Sequence, residues 1–133
     1  MSDNLNNKID EDLYSRQIIF LGMETMKKIS QLKILIIGVR GLGIEIAKDI
    51  IVSGPNQVTI FDPNEAKIED LGSNFYLSEK DIGKRRDESC LLNLQKLNKY
   101  VKIEYLKEIT KMNDIIKIND FNSFNVIVIT EIL

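Results

Sequence analysis

Nothing in this chain restricts its fold as tightly as the run Gly38-Val39-Arg40-Gly41-Leu42-Gly43. An apolar stretch, Lys33-Ile34-Leu35-Ile36-Ile37, precedes it, and a helical pattern, Ile44-Glu45-Ile46-Ala47-Lys48-Asp49-Ile50-Ile51, follows. Strand, glycine turn and helix form the setting in which G-x-G-x-x-G marks a nucleotide-binding turn. Gly38 and Gly43 stand at the first and third glycines of that pattern, and Arg40 stands at the second. The second glycine lets backbone come close to a phosphate, so the Arg40 side chain is expected to crowd the approach. The stretch predicts a nucleotide-binding fold whose phosphate seat has been altered.

The rest of the chain reads as a continuation of the same unit. Residues 1–8 are polar and read as a flexible N-terminal arm, with 9–133 as one domain. From Ile9 to Ser30 apolar residues recur at helical spacing, with Gly22 as a break between two short helices. The unbroken apolar character of Lys33–Ile37 predicts burial on both faces, as in a parallel sheet. A helix is expected from about Gly43 to Val52, stopped by Ser53-Gly54-Pro55, and a second strand over Gln57–Phe61. Glu65 to Asp81 is mixed in character. A third helix is expected over Gly83–Lys99, then strands at Val101–Tyr105 and Asn125–Thr130 with a short polar helix, Asn113–Asn119, between them. That order predicts a Rossmann-like α/β fold, a doubly wound and mainly parallel sheet with N-terminal helices. The last strand ought to feed a further loop, so the chain reads as truncated just after Ile132.

Composition removes several kinds of chemistry. The 133 residues are one domain's worth, enough to bury roughly two-thirds of the unfolded surface. A net charge of −2 gives no footprint for nucleic acid or an anionic membrane. There is no apolar run of about 18 residues and no signal-peptide pattern. One cysteine and no histidine exclude a disulfide framework, argue against a zinc site and remove the Ser-His and Cys-His pairings. What remains, carboxylates, Lys, Arg and backbone amides, suits phosphate chemistry. A reducing compartment, cytoplasm or nucleus, is the expectation.

Each candidate residue carries two readings. Amides at the glycine turn can seat an anion or simply pack against the sheet, and Arg40 could reach around to a phosphate. Asp62 stands where an acid commonly accepts from a ribose hydroxyl, or else caps the following turn with Asn64. Lys84-Arg85-Arg86 could face phosphates; the plainer expectation is a solvated helix start. Cys90, among leucines, reads as a buried thiol and not a nucleophile. Arg16, by composition alone, is an ordinary surface arginine.

Several stretches together resemble ubiquitin-activating enzymes: Ile9-Asp10-Glu11-Asp12-Leu13-Tyr14-Ser15-Arg16-Gln17, Leu21-Gly22-Met23-Glu24-Thr25-Met26-Lys27-Lys28, Gly41-Leu42-Gly43-Ile44-Glu45-Ile46-Ala47-Lys48, Asp70-Leu71-Gly72-Ser73-Asn74-Phe75-Tyr76-Leu77 and Asp81-Ile82-Gly83-Lys84-Arg85-Arg86. The resemblance runs from about Ile9 to Thr130, with the motifs in the family's order. Enzymes of this kind carry two related adenylation-type, ThiF-like domains, and the chain is similar to the first, which is inactive. The departures fit that copy. The active copy has glycine at Arg40, a phosphate-facing arginine at Ser73, a catalytic lysine at Arg86, and a metal-binding aspartate where this chain has Thr130 and Glu131. Of the core ligands only Asp62 matches. Gly38, Arg40, Gly41, Gly43, Asp62, Ser73 and Arg86 are therefore expected to form a degenerate nucleotide site, with no catalytic residue and no metal.

The resemblance further implies a role for Arg16, which matches a Y-x-R-Q arginine that reaches across to the triphosphate of the active copy. ATP and magnesium belong to the complete enzyme, which adenylates ubiquitin and passes it to a cysteine in another domain; this fragment alone is expected to be inactive and to hold no cofactor. The implied partners are the active adenylation domain, ubiquitin and ubiquitin-conjugating enzymes. Two alternatives stand beside this reading. One is the corresponding subunit of the SUMO-activating heterodimer, which shares a G-x-[KR]-G-L-G loop; the other is a dinucleotide-binding oxidoreductase domain.

Overall fold

The computed structural model describes residues 22–74, 76–117 and 121–131. Four strands, β1 (Lys33–Ile37), β2 (Gln57–Phe61), β3 (Lys102–Tyr105) and β4 (Val126–Ile129), form one sheet in the spatial order β3-β2-β1-β4. All three pairings are parallel, with Ile34 opposite Val58 on one side and Val126 on the other. Helix α1 covers 22–29, α2 covers Gly41–Val52 and α3 covers Arg86–Gln95. The chain builds outward from β1 through α2 to β2 and through α3 to β3. It then crosses back to the opposite edge of β1, so the winding reverses between β1 and β4. This is the Rossmann-like α/β arrangement that the strand order predicts.

The two faces of the sheet are covered differently. Ile34, Ile36, Val58, Ile60 and Ile103 face α2 and α3, packing on Ile44, Ala47, Ile51, Cys90 and Leu94. On the other face Leu35, Ile37 and Phe61 meet Ile115, with Leu106, Ile109, Met112, Phe121 and Phe124 around them. Apolar residues on both sides of β1 thus find a core on both sides, as its unbroken run requires. No helix among the described residues is long and apolar enough to cross a membrane.

Element boundaries depart from the expected ones for local reasons. Helix α2 starts two residues early because the Arg40 carbonyl already accepts the Ile44 N–H. Helix α3 starts late: the Gly83 N–H donates to the Ala66 carbonyl, the Ala66 N–H donates to the Lys84 carbonyl, and Glu65 bridges Arg85. Residues 83–85 are therefore held against 65–66 before the helix can begin. In place of the short polar helix, Met112–Lys117 forms a 3-10 helix that buries Ile115 beneath it.

Candidate functional site

The carboxyl ends of parallel strands, at the point where the winding reverses, are where this architecture places ligands. Gly38 leaves β1 at that point with φ +93°, and its N–H donates to the Phe61 carbonyl at 2.8 Å. A Cβ at Gly38 would overlap the Thr130 hydroxyl and the Glu131 side chain, and one at Gly43 would overlap the Gly38 carbonyl. Both glycines are therefore steric necessities of a helix packed tightly on a strand end. Thr130 fastens the same corner: its hydroxyl lies 2.9 Å from the carbonyls of both Ile37 and Gly38.

The polar groups around this loop are committed to one another. Asp62, at the end of β2, accepts the Val39 N–H through Oδ2 at 3.0 Å and the Asn64 N–H through Oδ1 at 3.3 Å. Arg86, the first residue of α3, donates from Nε to Asp70 Oδ2 at 2.9 Å and from Nη1 to Asp62 Oδ1 at 3.4 Å. Asp70, in the 3-10 turn Ile68–Gly72, also accepts the Lys67 N–H at 2.8 Å. Arg40 turns toward the same acid, with Nε 3.4 Å from Asp70 Oδ1 and 3.9 Å from Glu131 Oε1. Asp62, Asp70 and Arg86 are buried, while half of the Arg40 side chain is exposed. When all five groups are ionised, three carboxylates face two guanidiniums, leaving a local excess of one negative charge.

Burial sets the electrostatics, and geometry sorts the outcomes. Burial raises the Asp62 pKa above the ordinary carboxylate value, against the Val39 N–H, the Arg86 charge and the Asn64 N–H. Burial acts on Asp70 as well, but the Lys67 N–H, the hydrogen bond and charge of Arg86, and the charge of Arg40 outweigh it and hold its pKa low. Burial would release the Arg86 proton; the bond to Asp70 and the charges of Asp62 and Asp70 hold it more tightly than usual. The two acids move apart because Arg86 sits closer to Asp70 and because Asp62 is wholly enclosed. Their linkage signs oppose. Asp70 adds stability above the unfolded carboxylate pKa, lost as pH falls through its lower folded value. Ionised Asp62 subtracts stability, and protonation relieves that cost as pH falls through its raised folded value.

The remaining candidates take varied places. Ser73 lies against Gly41, where an added Cβ would come 3.0 Å from the Ser73 Cβ. The solvated helix start expected at Lys84-Arg85-Arg86 holds for Lys84 alone. Arg86 is buried, and Arg85 grips Asp87 with Nε and Nη2 at 2.9 and 2.7 Å while also donating to the carbonyls of Leu106, Lys107 and Ile109. Partners for each guanidinium explain the correction: a buried charge is tolerated once it is paired and hydrogen-bonded. Cys90 is buried as expected, its thiol pushed up to about 11 chiefly by burial, so it is a protonated packing group at neutral pH. Arg16 lies outside the described residues.

Two positions that hold this corner together escaped the sequence reading. Asp70 is the acid that both arginines share, and Asn74 donates to the Val39 carbonyl at 3.0 Å and to Cys90 Sγ at 3.4 Å while accepting the Tyr76 N–H. Both lie in the Asp70–Leu77 motif, whose unusual wording was their only signal. Among the described residues no cluster of three or more His, Cys, Asp or Glu could hold a metal ion. A separate groove of about 800 Å³ lies beside β3, with Gln57, Thr59, Glu104, Leu106 and Phe124 among its walls. It includes no residue of the glycine loop, and Gln57 there is already bonded to Thr59 and Glu104.

Comparison with known proteins places these features in a lineage. The sequence profile of the ThiF family matches residues 14–130. The chain is 43% identical to "Ubiquitin-activating enzyme E1 1" of Schizosaccharomyces pombe, an alignment covering 94% of this chain and 14% of that protein. It is 50% identical to "Ubiquitin-like modifier-activating enzyme 1" of Homo sapiens, covering 71% of this chain and 9% of that protein. The chain thus spans only about a seventh or less of the curated relatives it matches. Among solved structures, E. coli MccB with ATP superposes with a TM-score of 0.60 at 23% identity, covering 70% of this chain and 28% of that one. E. coli tRNA N6-threonylcarbamoyladenosine dehydratase, TcdA, gives 0.67 at 11% identity, covering 81% and 45%. At such identities the structural matches speak for the fold alone.

Proposed function

The chain belongs to the ThiF family, and on that premise we propose that it is the N-terminal part of the non-catalytic adenylation-type domain of a ubiquitin-activating enzyme. The similarity to ubiquitin-activating enzymes over nearly the whole chain supports the enzyme class. One observation carries the non-catalytic assignment. At the loop where a triphosphate would sit, both guanidiniums are committed to carboxylates and the Val39 N–H is taken by Asp62. With all five groups ionised, a triphosphate brought there would meet a local excess of negative charge and, among the described residues, no arginine without a carboxylate partner, so this pocket is assigned no ATP.

In this reading the whole enzyme uses ATP and magnesium to adenylate ubiquitin and then forms a thioester on a cysteine of another domain. The present domain packs on the active copy and lends it Arg16. A planar donor fork of fixed charge suits phosphate oxygens. A charge-assisted hydrogen bond of that kind is worth about 1.5–3 kcal/mol. Realised in the transition state, it corresponds to roughly 10- to 150-fold in rate. Arg16→Ala in the complete enzyme is therefore expected to slow ATP–pyrophosphate exchange by that factor with the thermal melt unchanged. Exchange at the wild-type rate would remove Arg16 from the mechanism.

A further inference from the structure

Five segments far apart in the chain converge on two guanidinium groups. Arg40 belongs to the glycine loop, Asp62 ends β2, Asp70 sits in a 3-10 turn, Arg86 opens α3 and Glu131 follows β4. Asp70 is the joint between them, offering Oδ1 to Arg40 and Oδ2 to Arg86. The backbone donor at Val39, which a helix-capping loop of this kind would turn toward an anion, already has one in Asp62 Oδ2. Arg86 in turn lies beside that carboxylate, so the internal anion has a counter-charge from within the chain.

We propose that the Arg40–Asp70–Arg86 chain, with Asp62, is an internal counterpart of a bound ligand: a clasp that holds the glycine loop, the Ile68–Gly72 turn and the exit of β4 in one arrangement without a nucleotide. A phosphate normally orders such loops by giving several segments one charged centre to bond. Here the same service comes from side chains. Arg40, the residue that breaks the glycine pattern, becomes the arm that ties the loop to Asp70 and toward Glu131. The clasp rests on the ion pairs of this chain and is independent of any contact made by Arg16.

Amide hydrogen exchange on the intact protein tests it, using Arg40→Ala, Asp70→Asn and the double variant. Arg40 is half-exposed, so its truncation leaves the core packing untouched and the variant folds. The expected result is exchange about three- to tenfold faster at Val39, Arg40 and Gly41 and at Glu131 in Arg40→Ala, with Val58 and Ile60 in β2 unchanged. Asp70→Asn loosens Val39, Arg40 and Gly41 at least as much, and at these amides the double variant matches Asp70→Asn alone, because there Arg40 acts through Asp70; Glu131, which Arg40 also approaches directly, is read from Arg40→Ala. Wild-type rates at the loop in both single variants would overturn the clasp, as would fully additive effects in the double. Magnesium–ATP at about millimolar concentration is expected to leave the wild-type loop rates unchanged; slowing of those amides would return the seat to a nucleotide and overturn the clasp too.

Discussion

Along the carboxyl end of the sheet the charged residues are hidden; along β4 the apolar ones are bare. Asp62 and Asp87 are fully buried, and Arg86 is 4% exposed, whereas Val126, Ile127 and Ile129 are 40, 38 and 57% exposed. Yet β4 reads Val-Ile-Val-Ile and pairs in parallel with β1, whose Ile-Leu-Ile-Ile is buried throughout. The usual sorting of polar from apolar is inverted twice within one small domain. Hydropathy decides which groups can afford burial, but partners and position decide which are buried. Arg86 has Asp62 and Asp70; β1 has a neighbouring strand on each side, and β4 has one only, among the described residues.

Three measurements sharpen or break that contrast. The largest effect is expected for Arg86→Met, which keeps the bulk and takes the buried guanidinium away from two buried carboxylates. Urea unfolding should show a loss of about 3–5 kcal/mol, and a loss below about 1 kcal/mol would mean that the cluster is not held by its charges. Second comes alkaline pH. The Cys90 thiol is held protonated in the fold up to about 11 against an ordinary value of 9.0. The unfolded chain therefore releases this proton first, and stability present below pH 9 is lost as pH rises toward 11, by about 2–3 kcal/mol from this group. In Cys90→Ser, which cannot ionise there, the fall between those pH values should be shallower by that amount; parallel curves would show that the thiol is not enclosed in solution. The smallest effect belongs to Ile129→Thr on the bare strand, expected within about 0.5 kcal/mol of wild type. A cost of about 2 kcal/mol or more would show that β4 is covered after all.

Much of the fold could be read from local signals. The β1 run, the two fixed glycines and the stop at Ser53-Gly54-Pro55 each act over a few residues, so β1, α2 and β2 came out nearly residue for residue. The start of α3 did not, because Gly83 and Lys84 are held by Ala66, a neighbour the local pattern cannot see. The site divides along the same line. Gly38, Gly43 and Arg40 are set by their positions in one turn. Asp70 and Asn74 gain their roles from Arg86, Arg40, Val39 and Cys90, brought to them by the sheet. Arg86 looks solvated in sequence because its acids, Asp70 and Asp62, lie 16 and 24 positions upstream.

The Thr130 hydroxyl, resting on the Ile37 and Gly38 carbonyls across 93 and 92 positions of chain, has a consequence in time as well as in space. A ribosome delivers the glycine loop 92 to 93 positions ahead of its fastening. Until β4 has been synthesised and paired, β1 lacks its second neighbour and the loop lacks the group that pins its corner. Contacts of such long sequence separation close slowly. The segment that announces the fold in the sequence thus acquires its final shape only after β4 has emerged in a growing chain.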